Sequence, residues 1–175
     1  MKQRKLTGLD FIVDRLTNSI VNTISGDSFP TEVLRFTKND LLQVTKKNGW
    51  SFNWKSELAN DQRDVFKLTI SNNPQIIQGL LSLSIEPDHV YMHLLENAPF
   101  NIGQQKLYEG VAGNLVAHAC KVSFQQGYEG FVSFTAKTKL IAHYEKTLGA
   151  YTLGGHRMII PTDAAKVLID KYFKS

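Results

Sequence analysis

A chain of 175 residues with 42% hydrophobic and 21% charged residues is long enough to close one core and too apolar to remain disordered. Its single cysteine, Cys120, excludes an intramolecular disulfide framework and a cysteine-built zinc site. The formal charge of +4 comes from 20 basic residues interleaved with 16 acidic ones, which describes a solvated surface with a modest pull on anions, not a nucleic-acid interface.

Residues 1–5 start basic, like a signal peptide, but Asp10 and Asp14 interrupt the apolar segment such a leader needs, so the expected location is the cytoplasm. Residues 20–24 and 32–36 are short β-like runs separated by Ser25-Gly26-Asp27-Ser28 and Pro30. Thr37 has the context of a helix N-cap, with Asp40 three residues on and Phe36 and Leu41 as a hydrophobic staple; the helix is predicted to run to about residue 47 and stop at Asn48-Gly49. Trp50, Phe52 and Trp54 alternate with polar residues, which puts three rings on one face of an extended segment, lining a pocket or packing the edge of the core.

Residues 64–70, 76–85 and 90–95 are β-like, and the connections between them are too short for parallel crossovers, so they are expected to form an antiparallel meander. The second run is also the longest membrane-span candidate, but Gln78, Gly79, Ser82 and Ser84 break it well short of the roughly 18 apolar residues a span requires. After the meander the pattern predicts a helix over 110–126, a strand over 130–135, a helix over 138–148 and a strand over 156–160. A last helix over 163–173 follows, capped by Thr162 after Pro161. The sum is a mixed α/β layer structure.

Two apolar stripes, Val111-Leu115-Ala119-Val122 and Val116-Cys120-Phe124, mark the first of these helices as packed on two sides. Gly110 and Gly113 at its start either admit a ligand close to the backbone or mark a tight turn, and the unpaired amides of a helix N-terminus suit a pyrophosphate. Cys120, on the apolar surface, reads as a small hydrophobe. His89, His93, His118, His143 and His156 have no metal-ligand spacing, so no metal is expected.

The order of elements, with Gly110-Val111-Ala112 before the long helix and His143-Tyr144-Glu145-Lys146 followed by Leu148-Gly149, resembles the GNAT superfamily of acetyl-coenzyme A-dependent N-acetyltransferases over residues 65–160. The first segment matches the G-x-A part of that family's Q/R-x-x-G-x-G/A motif; the second matches its A-x-x-x-Y-E-K-x-G-F signature with one extra residue. The resemblance implies a single α+β domain with a mixed sheet: a variable part over 1–60, a cofactor-binding core over 64–160 and an added C-terminal helix over 162–173.

It also implies acetyl-CoA as co-substrate and direct transfer of its acetyl group to an amine, without a covalent enzyme intermediate. Gly110, Val111, Ala112, Gly113 and Asn114 would hold the pyrophosphate and the backbone at Leu94 and Leu95 the thioester. Lys137 and Thr138 stand near where the family often has an asparagine. Tyr144 would protonate the coenzyme A sulfur, and Glu96 is either a general base raised toward neutrality by burial or an exposed strand-end carboxylate.

Leu107 replaces the motif's Q/R, Ala150 replaces the usual phenylalanine, and residues 151–160 offer room for one strand where the family has a hairpin that helps form the acceptor pocket. These departures favour the alternative of a non-catalytic module, either retaining coenzyme A as a ligand or binding a protein. The expected acceptor is a small-molecule or peptide amine, with homodimerisation left open and no membrane or nucleic-acid partner.

Overall fold

The computed structural model describes residues 8–17 and 19–173, so the basic run Lys2, Arg4 and Lys5 lies outside the described residues. Residues 10–17 form neither helix nor strand, and Leu9 before them makes one parallel bridge to Ala136 beside the main sheet. Two short strands, β1 (Ile20–Asn22) and β2 (Ser28–Phe29), then form a hairpin.

The main sheet starts with β3 (Thr31–Arg35), and after helix α1 (Trp54–Ala59) it continues through β4 (Asp64–Ile70), β5 (Gly79–Ile85) and β6 (Val90–Asn97), each antiparallel to its neighbour. The meander expected from the short connections is therefore present. Strand β7 (Tyr108–Glu109) pairs with β1 and leads into the long helix α2 (Val111–Gln125). Strand β8 (Val132–Thr135), helix α3 (Ile141–Leu148), strands β9 (Tyr151–Gly154) and β10 (Arg157–Ile160), and helix α4 (Thr162–Phe173) complete the chain.

The seven-stranded sheet has the order β3-β4-β5-β6-β8-β10-β9, and β6–β8 is its one parallel pair. That pair requires the α2 crossover, since a parallel connection cannot be made by a tight turn. Pairing between β6 and β8 is confined to Val90–Val132 and Tyr91–Ser133, so the longer β6 runs on to Asn97 with its outer edge separated from β8. A groove opens there.

Three local expectations are corrected. Residues 151–160 form a complete β9–β10 hairpin, because Gly154 and Gly155 both take positive φ and turn the chain tightly; β10 lies between β8 and β9. The helix expected to reach residue 47 is only a 3-10 turn over Lys38–Leu42: β-branched Val44 and Thr45 follow, and the Thr45 hydroxyl accepts the Asn48 N–H at 3.1 Å, an alternative to helical bonding. Asp40 accepts both the N–H and the hydroxyl of Thr37 there and pairs with Lys67 at 2.8 Å. Burial raises its carboxyl, but the bonds from Lys67 and Thr37 outweigh this and hold it below the usual carboxylate range. Finally, Trp50, Phe52 and Trp54 do not share one extended segment, because the Asn53 side chain accepts the Ser56 N–H and starts α1 at Trp54.

Candidate active site

The expected pyrophosphate cradle lies at the start of α2, and the chain itself occupies it. Gly110, at φ 92°, is the N-cap, and its N–H donates to the Asp14 carboxylate at 3.1 Å. The other Asp14 oxygen pairs with Lys106 at 3.0 Å, and Arg15 pairs with Glu109 at 2.6 Å. A carboxylate thus stands where the helix N-terminus favours an anion.

A Cβ added at Gly110 would collide with the Thr17 hydroxyl, and one at Gly113 with the Tyr172 hydroxyl of α4. Val111 and Ala112 are buried, and Asn114, also buried, donates to Thr31 at the start of β3 at 2.9 Å. Leu107 is exposed on the approach to β7, its carbonyl taken by the Thr23 N–H.

From Asp14 the same segment descends between β6 and the end of β8. Val13 N–H donates to His143 Nε2 at 3.0 Å, and the Phe11 carbonyl accepts the Tyr144 hydroxyl at 2.7 Å. Leu9 N–H donates to Thr135 O, the Lys137 N–H donates to Leu9 O, and the Lys137 ammonium pairs with Asp10 at 2.9 Å. Thr138 is exposed, with its hydroxyl 3.1 Å from His156 Nδ1.

Leu9, Phe11 and Val13 are buried, whereas Ile12 between them is half exposed. Each buried side chain contributes roughly 1.5–3 kcal/mol of apolar transfer energy to holding the segment down. The Phe11 ring centroid lies 4.8 Å from that of Tyr144, and Phe134 meets Tyr144 in a T-shaped contact at 5.3 Å. Burial, reinforced by Asp10, raises the Tyr144 phenol well above its ordinary value, so it is protonated at neutral pH. Burial, reinforced by Lys146, lowers His143, which suits its acceptor role toward Val13.

The β6 side of the groove is still open. A cavity of about 450 Å³ lies between the segment and β6, with Phe11, Asp14, Phe52, Leu95, Glu96 and Lys106 among its walls. Leu94 and Leu95 are both buried on β6. Glu96 is not an exposed strand end: its carboxylate accepts Ser51 N–H at 2.7 Å, Phe52 N–H at 3.3 Å and Trp54 Nε1–H at 2.8 Å. It therefore anchors the turn into α1 while bordering the cavity. Cys120 is fully buried and its thiol is pushed up by burial, far from nucleophilic use.

Of the residues expected at the site, the fold gathers Leu95, Glu96, Gly110, Lys137 and Tyr144 along one groove and turns Asn114 away toward β3. The sequence expectation missed residues 9–14 altogether. Their signal was the period-two alternation Leu9-Asp10-Phe11-Ile12-Val13-Asp14, which suits an extended segment with one face in the core.

No protein-family model matches the sequence, and no curated protein matches it. Solved structures do. The AtaT toxin, in a tyrosine-to-phenylalanine mutant bound to the C-terminus of the antitoxin AtaR and acetyl-CoA, superposes with a TM-score of 0.56 at 19% identity, covering 79% of this chain and 97% of that one. The chain has the GNAT fold. The spermidine/spermine N-acetyltransferase SpeG from Vibrio cholerae matches with a TM-score of 0.52 at 14% identity, over 78% of this chain and 96% of that one. The ribosomal-protein-S18-alanine N-acetyltransferase from Escherichia coli matches with a TM-score of 0.51 at 12% identity, over 75% and 94%. Several GNAT structures of this kind are acetyltransferases, and AtaT is seen with acetyl-CoA bound. Among the described residues of this GNAT-fold chain, no group of three or more potential metal ligands is gathered, and no helix is long and apolar enough to cross a membrane.

Proposed function

We propose that this chain is an acetyl-CoA-dependent N-acetyltransferase acting on an amine, and that the groove between β6 and β8 receives the coenzyme A arm. One observation carries this. Along a single line the protein offers main-chain partners at Thr135 and Lys137, the Tyr144 hydroxyl and the α2 N-terminal amide, and residues 9–14 engage them with an extended backbone, a carbonyl and a carboxylate. Backbone amides, a carbonyl and an anion are also the groups that the pantetheine, the thioester and the phosphates of acetyl-CoA present.

Acetyl-CoA supplies an activated acyl group as a thioester. Transfer forms a C–N bond and breaks the C–S bond; the amine loses one proton and the departing sulfur gains one. Tyr144, a phenol whose hydroxyl reaches the groove, is the group placed to donate to that sulfur. Glu96 borders the cavity where an amine would sit, and its bonds to Ser51, Phe52 and Trp54 fix it there as a carboxylate able to accept the amine proton through water. The complete β9–β10 hairpin supports this function, since its absence was the main sequence argument against an acceptor pocket.

A second reading, a non-catalytic GNAT-fold module, is favoured by the occupied cradle and by Leu107. The two separate in one experiment: acetyl-CoA is added to the full chain with a panel of polyamines and peptide N-termini, and release of free thiol is followed. Transfer to one acceptor class is expected, falling about a hundredfold in Tyr144→Phe. Binding of acetyl-CoA without transfer to any amine would instead support the non-catalytic module.

A further inference from the structure

From this geometry we infer that residues 9–14 are an intramolecular competitor of coenzyme A, so that cofactor binding and release of this segment are one equilibrium. The inference rests on the proposed function, because it assigns the same groove two mutually exclusive occupants.

The segment occupies the groove at three successive levels. At the base its backbone bridges Ala136 and bonds Thr135 and Lys137. At the middle the Phe11 carbonyl takes the Tyr144 hydroxyl, and Val13 N–H takes His143 Nε2. At the top Asp14 takes the Gly110 amide and Lys106. A phosphate group and the Asp14 carboxylate are both anions and would contend for one amide, so they exclude each other by charge as well as by volume.

The occupant is built to stay rather than adventitious. Gly110 and Gly113 are matched to the chain itself: Thr17 packs over Gly110, and the Tyr172 hydroxyl, which accepts the Thr17 N–H at 3.2 Å, packs over Gly113, so the group contested with a ligand is the Gly110 amide that Asp14 engages. Thr17 is therefore a hinge point, held by α4 while residues 9–14 leave. The groove lies open on its β6 side, where the 450 Å³ cavity gives an incoming arm a place to start displacing the segment. An equilibrium of this kind lowers the apparent affinity by the fraction of molecules whose groove is free.

The test uses the full chain. Hydrogen exchange is followed with and without saturating coenzyme A, saturation being judged by thermal shift, and coenzyme A affinity is measured for wild type, Phe11→Ala and Asp14→Asn. Phe11→Ala loosens the middle of the segment; Asp14→Asn removes the competing charge at a part-exposed position and keeps the fold if Phe11→Ala does not. The expected result is that the Leu9 and Val13 amides lose protection on ligand binding while the Gly110 amide stays protected. Both variants should bind at least several-fold more tightly than wild type. Coenzyme A binding to wild type with Leu9 and Val13 still protected, or with affinity unchanged in Asp14→Asn, would overturn the competition and leave the transferase standing. No binding to wild type or to either variant would overturn both.

Discussion

His118 shows what one side chain costs when the fold leaves it unserved. On α2 it meets the Phe66 ring edge-on at 4.6 Å, and its Nε2 is buried with no hydrogen-bond partner among the described residues. Burial first, then the cations of Lys121 and Arg35, lower it from 6.5 to about 4. Because the folded value lies below the unfolded one, the unfolded chain binds the proton first. Stability from this group is intact above about pH 6.5, declines as the pH falls toward 4, and is flat below. The loss is on the order of 3 kcal/mol across that window. Denaturant midpoints between pH 7 and pH 4 should show it, and His118→Phe should flatten most of the slope; His93 and His143, also lowered, leave a residue of the same sign. An unchanged slope in His118→Phe would assign the acid sensitivity elsewhere.

At the scale of elements, the α2 N-terminus joins three parts of the chain. Gly113 lets α4 approach until Tyr172 fills the place of a Cβ, and Tyr172 in turn holds Thr17 at the end of the buried segment. Gly113→Ala is therefore expected to destabilise by about 1–3 kcal/mol through overpacking, with or without a cofactor. Tyr172→Phe, which removes the colliding oxygen, should recover part of that loss in the double variant although alone it costs about 1 kcal/mol for the orphaned Thr17 amide. Equilibrium unfolding of the four proteins measures the coupling; strict additivity would mean that the glycine serves something other than this contact. For the same reason, loss of cofactor binding on replacing Gly110 or Gly113 does not by itself identify a phosphate cradle.

For the whole molecule, α4 covers α2 with Ala165, Leu168 and Tyr172, all buried. Ending the chain after Pro161 should remove several kcal/mol of burial, comparable with the stability of a typical domain. Calorimetry is expected to show a broad, low-temperature transition in place of a sharp one; a sharp transition within a few degrees of the full chain would make α4 an accessory. The groove itself exists because β6 outruns its pairing with β8, a property of the whole sheet that no single strand possesses.

The sequence by itself determined the elements whose patterns are local. The antiparallel meander followed from connections too short to cross over, α2 from its two apolar stripes, and the Tyr144 helix from its spacing and from Gly149, which ends it at φ 69°. Tyr144 was identifiable as a candidate only through the resemblance of its segment to the GNAT signature. What only the tertiary structure decided depends on residues far apart in the chain. Glu96 anchors Trp54 from 42 positions away, and Phe11 reaches Tyr144 from 133 away. The alternation from Leu9 to Asp14, missed in the sequence expectation, marks one face for burial but not what covers it. Pairing choices of that range are set by which partner buries the most surface and satisfies the most polar groups, and the β6–β8 groove that does so here forms only when the sheet and α2 have assembled.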